Sequence, residues 1–139
     1  MNTVELIREA FKAQSFSYSP YSNFQVGAAL LTLDGKVYHG CNIESAAYTP
    51  TNCAERTAFF KAVSEGKYGF SKIAVVGNLK SGRTQKDDYT APCGVCRQVM
   101  MEFCNQDFEI ILAKSEDDYK VLTLSQLLPL GFGPENLKE

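Results

Sequence analysis

Two short stretches carry the residues best suited to chemistry: "TNCAERTAFF" (51–60) and "APCGVCRQ" (91–98). Cys93 and Cys96 stand three apart, the spacing that puts two side chains on one face of a helix. Cys53 opens the other stretch, and both stretches read as helix starts. At a helix N-terminus the free backbone N–H groups and the dipole favour a thiolate, the form of cysteine that binds a metal. Two helix N-termini aimed at one place would bring three thiolates to a tetrahedral zinc and leave the fourth position open for water, as in catalytic sites. Such a cluster carries a charge of about −1, which makes water on it harder to deprotonate. Arg56 and Arg97, each next to a cysteine in sequence, are the cations available to offset it. Glu55 is not needed as a ligand. Two residues after Cys53, it is placed to stand over the open position and move protons to and from water.

Each of these residues also has a plainer reading. Glu55 could be the third residue of a capping box opened by Asn52, a role that needs no metal. "CGVC" at a helix start resembles a thiol–disulfide motif, although a redox role explains neither Cys53 nor Glu55. A structural zinc site would need a fourth protein ligand, for which Cys41, Cys104 and His39 are candidates. Cys41 and Cys104 otherwise read as small core or element-end residues, and His39, in a strand pattern, as an ordinary surface or edge side chain.

The rest of the chain supplies elements to hold these residues. Asn2 with Glu5 reads as a capping box, and Val4, Ile7, Ala10 and Phe11 recur at helical spacing, so a helix is predicted over about 3–14. "QVGAALLTL" and "KVYHGCNI" flank the turn signal Asp34-Gly35 and form a hairpin. Cys53 to Glu65 is predicted as a second helix with Asn52 as N-cap, Ala58, Phe59, Ala62 and Val63 as its buried stripe, and Gly66 as its stop. "KIAVVGNL" reads as a buried strand, and the polar stretch 80–91 as a surface loop. A third helix begins near Pro92 and buries Val95 or Cys96, Val99 and Phe103. "FEIILAK" and "YKVLTL" are short strands, and a short helix over about Ser125–Leu128 precedes the tail. Helices alternating with strands imply an α/β fold with one sheet between helical layers, and the initial hairpin makes that sheet mixed.

Composition narrows the partners. The 139 residues suit one globular domain spanning 1–139, with 45% apolar and 22% charged residues. A formal charge of −2 without a run of Lys or Arg makes a nucleic acid polymer a poor partner. The first residues lack a basic segment followed by an apolar one, and the longest apolar-rich run, Val26 to Leu33, is too short to cross a bilayer, so a cytoplasmic protein with no membrane contact is expected. Five cysteines in a reducing compartment point to metal or redox chemistry before disulfides.

"CAE" at 53–55 with "PCGVC" at 92–96 resembles the signature of zinc nucleoside deaminases, in a variant where cysteine takes the place of histidine as first ligand. The likeness to the small homotetrameric cytidine deaminases runs nearly end to end, through "PYSNFQVGAALLT", "DGKVYHGCNIE", "CAERTA", "PCGVCRQV" and "LLPLGFGPENL". It implies a three-layer α/β/α sandwich with a five-stranded mixed sheet, assembled as a homotetramer, that hydrolyses cytidine or deoxycytidine to the uridine product. It further implies zinc on Cys53, Cys93 and Cys96, with water adding at C4 of the ring while Glu55 protonates N3 and helps ammonia leave. Phe24 would lie against base and ribose, the Ala54 backbone would contact the base, and Asn42 and Glu44 would hold ribose hydroxyls. Residues matching Ala46, Tyr48 and Phe132 reach a neighbouring subunit's site in that family, and Arg56 matches an arginine that hydrogen-bonds the ligand thiolates. On residue type alone, Phe24, Asn42, Glu44 and Phe132 carry no chemical signal. The chain departs from the pattern in Ala91, where serine is common before Pro92, and in a loop over 80–91 that looks longer than usual.

Overall fold

A computed structural model describes residues 1–81 and 89–138; most of the predicted 80–91 loop lies outside the described residues. Helix α1 (Thr3–Gln14) starts where the sequence places it. The Asn2 side chain accepts the Glu5 N–H at 2.8 Å and its amide donates to the Glu5 carboxylate at 3.0 Å. Strands β1 (Phe24–Thr32) and β2 (Val37–Cys41) form the expected antiparallel hairpin. Helix α2 (Ala54–Ser64) leads to β3 (Phe70–Leu79), and α3 (Gly94–Phe103) leads to β4 (Glu109–Ala113). Strand β5 (Tyr119–Thr123) and the short α4 (Leu124–Leu127) precede a single 3-10 turn over Pro134–Leu137.

The five strands lie in the order β2-β1-β3-β4-β5. Strand β1 is antiparallel to both neighbours, β3 and β4 run parallel, and β5 returns antiparallel, so the sheet is mixed as expected. Alternation along the central strands divides the core. Ala29, Leu31, Ala74, Val76 and Ile111 pack with Leu6, Ile7 and Ala10 of α1 on one face. Ala28, Leu30, Ile73, Val75 and Ile110 pack with Ala58, Phe59 and Ala62 of α2 and Met100 of α3 on the other. Strands covered on both faces read as near-continuous apolar runs, which is why "GAALL" and "IAVV" show no polar alternation. Phe59 anchors the second layer, with its ring 5.0 Å from Phe70 and 6.1 Å from Phe108. The three-layer α/β/α expectation holds.

Helix α2 is set tightly onto the hairpin. A methyl group at Gly40 of β2 would lie 2.1 Å from the Ala54 carbonyl oxygen and 2.6 Å from the Ala58 nitrogen, both rigid backbone. Only glycine lets the first turn of α2 sit this close, and that turn carries Cys53 and Glu55. Gly40→Ala should therefore push the helix start outward at a cost of about 3 kcal/mol, the upper range for overpacking. Thermal unfolding several degrees below wild type, together with weakened zinc retention, is the expected result.

Three helix boundaries differ from the sequence reading. The N-cap of α2 is Cys53, not Asn52. Asn52 instead exchanges backbone hydrogen bonds with Ile43 at 2.9 and 3.0 Å, and its amide donates to the Thr57 hydroxyl at 3.2 Å. Helix α3 likewise starts after an N-cap at Cys93, so Pro92 stands just outside it; Cys96 and Met100 are buried while Val95 is exposed. Helix α4 begins one residue earlier than expected because Thr123 and Gln126 close a capping box.

Candidate metal centre and active site

The two N-caps converge. Cys53 Sγ lies 3.7 Å from Cys93 Sγ, and Cys93 Sγ lies 3.5 Å from Cys96 Sγ. All three sulfurs fall within 4.8 Å of one another. A tetrahedral zinc with sulfur ligands at about 2.3 Å separates its sulfurs by about 3.8 Å, so the trio has the spacing to receive zinc with small adjustment. Neither Cys53 nor Cys93 spends its side chain on capping its own helix, which leaves both sulfurs to face a common ion. Among the described residues, the metal-ligand group formed here includes neither Cys41, Cys104 nor His39, so the fourth ligand of a purely structural site is not supplied. His39 lies instead 3.8 Å from the Glu9 carboxylate, and burial pushes the Cys104 thiol up to about 12.

Charge around Cys53 favours its thiolate. The Cys53 thiol is lowered to about 5, first by the hydrogen bond it shares with Cys96, then by Arg56. Arg56 Nη2 donates to Cys53 Sγ at 3.3 Å. Being three residues beyond Cys53, Arg56 shares its helix face. Cys96 is pushed up by its hydrogen bond to Cys53 and by burial, so Cys53 ionises before Cys96 in the metal-free site. Zinc takes cysteine as thiolate and therefore displaces the remaining protons on binding. Replacing Arg56 with alanine removes a guanidinium bonded to a ligand sulfur. About tenfold weaker zinc retention is expected, at the lower end for partners of metal ligands, measurable by competition with a chromophoric chelator.

Arg97 departs from its expected role. Its Nε donates to the Pro92 carbonyl at 2.8 Å and its Nη1 to the Leu127 carbonyl at 2.7 Å. Leu127 ends α4, where carbonyls lack partners within the helix and a cation is favoured by the dipole. Arg97 thus braces the segment before Cys93 against the end of α4 instead of neutralising sulfur.

Glu55 is 4% exposed, in the first turn of α2. Burial, opposed by a backbone hydrogen bond and reinforced by the Cys53 charge, raises its carboxyl to about 7. With Asn52 displaced from the cap, the capping-box alternative for Glu55 falls. A buried carboxyl beside the metal cradle, balanced between its two protonation states near neutrality, is suited to relaying protons.

The remaining predicted residues gather in part. Ala54, buried, is the first residue of α2. Asn42 and Glu44 flank Ile43, whose backbone is paired to Asn52, directly before Cys53. The Asn42 amide donates to the Phe24 carbonyl at 2.8 Å, while its oxygen accepts the Val26 N–H at 3.0 Å and the Ser17 hydroxyl. Glu44 accepts the Tyr21 and Ser22 N–H groups at 3.0 and 3.2 Å and the Ser22 hydroxyl. A concavity of about 410 Å³ opens here, lined by Tyr21, Ser22, Glu44, Ser45, Tyr48 and Thr51. Phe24, Asn42 and Glu44 are thereby joined through hydrogen bonds to the start of the metal-bearing helix. Ala46, Tyr48 and Phe132 remain on the surface; Tyr48 is 77% and Phe132 59% exposed. Tyr48 also holds a φ of +63°, an uncommon conformation for an aromatic residue. The Phe132 carbonyl is tied to α3 through Gln98 Nε2 at 2.7 Å. Sequence reasoning passed over Ser17 and Ser22, whose hydroxyls fix Asn42 and Glu44; residue type alone gave no signal for them.

A three-thiolate cradle at paired helix N-termini, with a buried protonatable carboxyl beside it, defines a zinc-dependent hydrolytic enzyme. Comparison with known proteins narrows the class. Residues 1–112 match the family model described as the cytidine and deoxycytidylate deaminase zinc-binding region. The chain is 49% identical to the cytidine deaminase of Sporosarcina psychrophila, over 99% of this chain and 96% of that protein. It is 48% identical to the cytidine deaminase of Halalkalibacterium halodurans over the full length of both. The crystal structure of cytidine deaminase from Burkholderia pseudomallei superposes with a TM-score of 0.85 at 46% identity, covering 95% of this chain and all of that one. The chain belongs to the zinc-dependent cytidine deaminase family. No helix among the described residues is long and apolar enough to cross a membrane.

Proposed function

We propose that this chain hydrolyses cytidine and deoxycytidine to uridine and deoxyuridine, with release of ammonia. The observation that carries the reading is the trio of sulfurs 3.5 and 3.7 Å apart beside the buried, near-neutral Glu55. Cys53, Cys93 and Cys96 would hold zinc, which when bound supplies Lewis acidity and lowers the pKa of water at the position the protein leaves open. In the balanced reaction a C4–O bond forms, the C4–N4 bond breaks, and water supplies both oxygen and hydrogen. Glu55 takes a proton from the attacking water and delivers it to N3, then takes the remaining proton from the new C4 hydroxyl as the carbonyl forms and passes it to N4, which leaves as ammonia. Its burial supports this cycle, because a carboxyl near pKa 7 both gives and accepts a proton at little cost.

Phe24 and the Ala54 backbone would hold the base, and Asn42 and Glu44 the sugar hydroxyls. The exposure of Tyr48 and Phe132 on a single chain supports their completing a neighbouring subunit's site, with Ala46, in a homotetramer. A single domain over 1–139, acting on small nucleosides in the cytoplasm for pyrimidine salvage, fits this reading. Loss of cytidine absorbance with purified protein, abolished by a chelator and restored by zinc, tests it. Stoichiometric zinc without turnover of any cytosine nucleoside would overturn it.

A further inference from the structure

We propose that Ser22 is a positioning residue for the sugar side of the substrate site, acting through Glu44. The inference rests on the reading above in one respect, that Glu44 meets a sugar hydroxyl. Its grounds are the bonds around a single exposed hydroxyl. Ser22 Oγ donates to Glu44 Oε2 and accepts the Phe24 N–H at 3.0 Å. The backbone N–H groups of Tyr21 and Ser22 both donate to Glu44 Oε1, at 3.0 and 3.2 Å. The turn over 21–23 therefore grips both carboxylate oxygens, and among the described residues Ser22 is what holds Oε2 while also reaching Phe24, where β1 begins. Asn23, at φ +57°, lets the chain turn sharply between Ser22 and Phe24.

This arrangement fixes what Glu44 offers. Three donors bring its pKa below the ordinary carboxylate value despite the opposing effect of partial burial, so it is an anion. Oε1 holds two N–H groups and Oε2 one hydroxyl, so Oε2 keeps acceptor capacity for a ligand in the concavity that Glu44 lines. A carboxylate held only through Oε1 could swing about its terminal torsion, which is broad and two-fold. Ordering it on each binding event would then cost affinity, whereas Ser22 orders it in advance. Chemistry at the base, handled by Glu55 and the cysteines, should be little affected.

The test is a double-mutant cycle on the zinc-loaded enzyme, with kcat and KM for cytidine measured for wild type, Ser22→Ala, Glu44→Ala and the double variant. Ser22→Ala should raise KM about fivefold with kcat nearly unchanged, the effect of losing one net hydrogen bond. Ser22→Thr, which keeps the hydroxyl, should restore most of it. In the Glu44→Ala background, adding Ser22→Ala should change KM by less than about twofold, because partners in one network are not additive. Equal effects of Ser22→Ala in both backgrounds, or an unchanged KM on its own, would overturn the role of Ser22. An unchanged KM in Glu44→Ala would overturn the sugar-contact reading of Glu44 as well, so the two failures are told apart.

Discussion

Glu55→Gln should leave the fold and one zinc per chain in place while turnover falls by about 10²- to 10⁴-fold, the range for losing a general acid–base group. The substitution keeps shape and a hydrogen-bonding side chain but cannot exchange a proton. It also removes a group that burial holds in an unfavourable state: Glu55 is 4% exposed, with its carboxyl raised to about 7. A neutral amide in the same place avoids the desolvation of a carboxylate, so the variant should unfold at the same temperature as wild type or somewhat higher. Three measurements on one preparation decide the matter: metal content, melting temperature and steady-state rate. Wild-type turnover in a zinc-replete variant would remove Glu55 from the reaction. Lost turnover with lost zinc would make it a structural support of the cradle.

The site was legible in the sequence to the extent that spacing in the chain maps onto spacing in a helix. Cys93 and Cys96 share a face of α3 because three residues make almost one turn, and their sulfurs lie 3.5 Å apart. Arg56 reaches Cys53 for the same reason. What sequence could not supply was the competition for each polar group from distant elements. Asn52 has every local qualification for an N-cap, but Ile43 claims its backbone and Thr57 its side chain. Arg97 stands next to a cysteine, yet its guanidinium is taken by the Pro92 carbonyl and by the Leu127 carbonyl at the end of α4. Asn42 and Glu44 look like solvated loop residues until the 17–22 segment folds over them and occupies their oxygens. The fold itself was more legible than the contacts, because apolar runs and capping signals are local, while partners such as Ser17 for Asn42 and Leu127 for Arg97, 25 and 30 residues away, are not.

The five cysteines should divide cleanly by function, and the largest effect is expected at Cys96. It is the most buried of the metal-site sulfurs, at 1% exposure, and lies 3.5 Å from Cys93 Sγ and within 4.8 Å of Cys53 Sγ. Cys96→Ala leaves two thiolates, one of them on the exposed Cys93, which is too few protein ligands for a catalytic zinc site. The variant should retain no stoichiometric zinc and lose about a thousandfold or more of its turnover, since the metal's contribution to such reactions is several kcal/mol. It should also lose the stabilisation that zinc gives by binding the folded chain alone, so its melting temperature should match that of wild type treated with chelator and no longer respond to added zinc. Cys104→Ala is the control. Cys104 packs against the core around Phe59, and burial alone raises its thiol to about 12, so it stays protonated and inert. Its replacement should cost about 1 kcal/mol of packing and leave zinc content and turnover intact. If Cys104→Ala lost zinc, or Cys96→Ala kept it, the ligand set would have to be drawn again from different sulfurs.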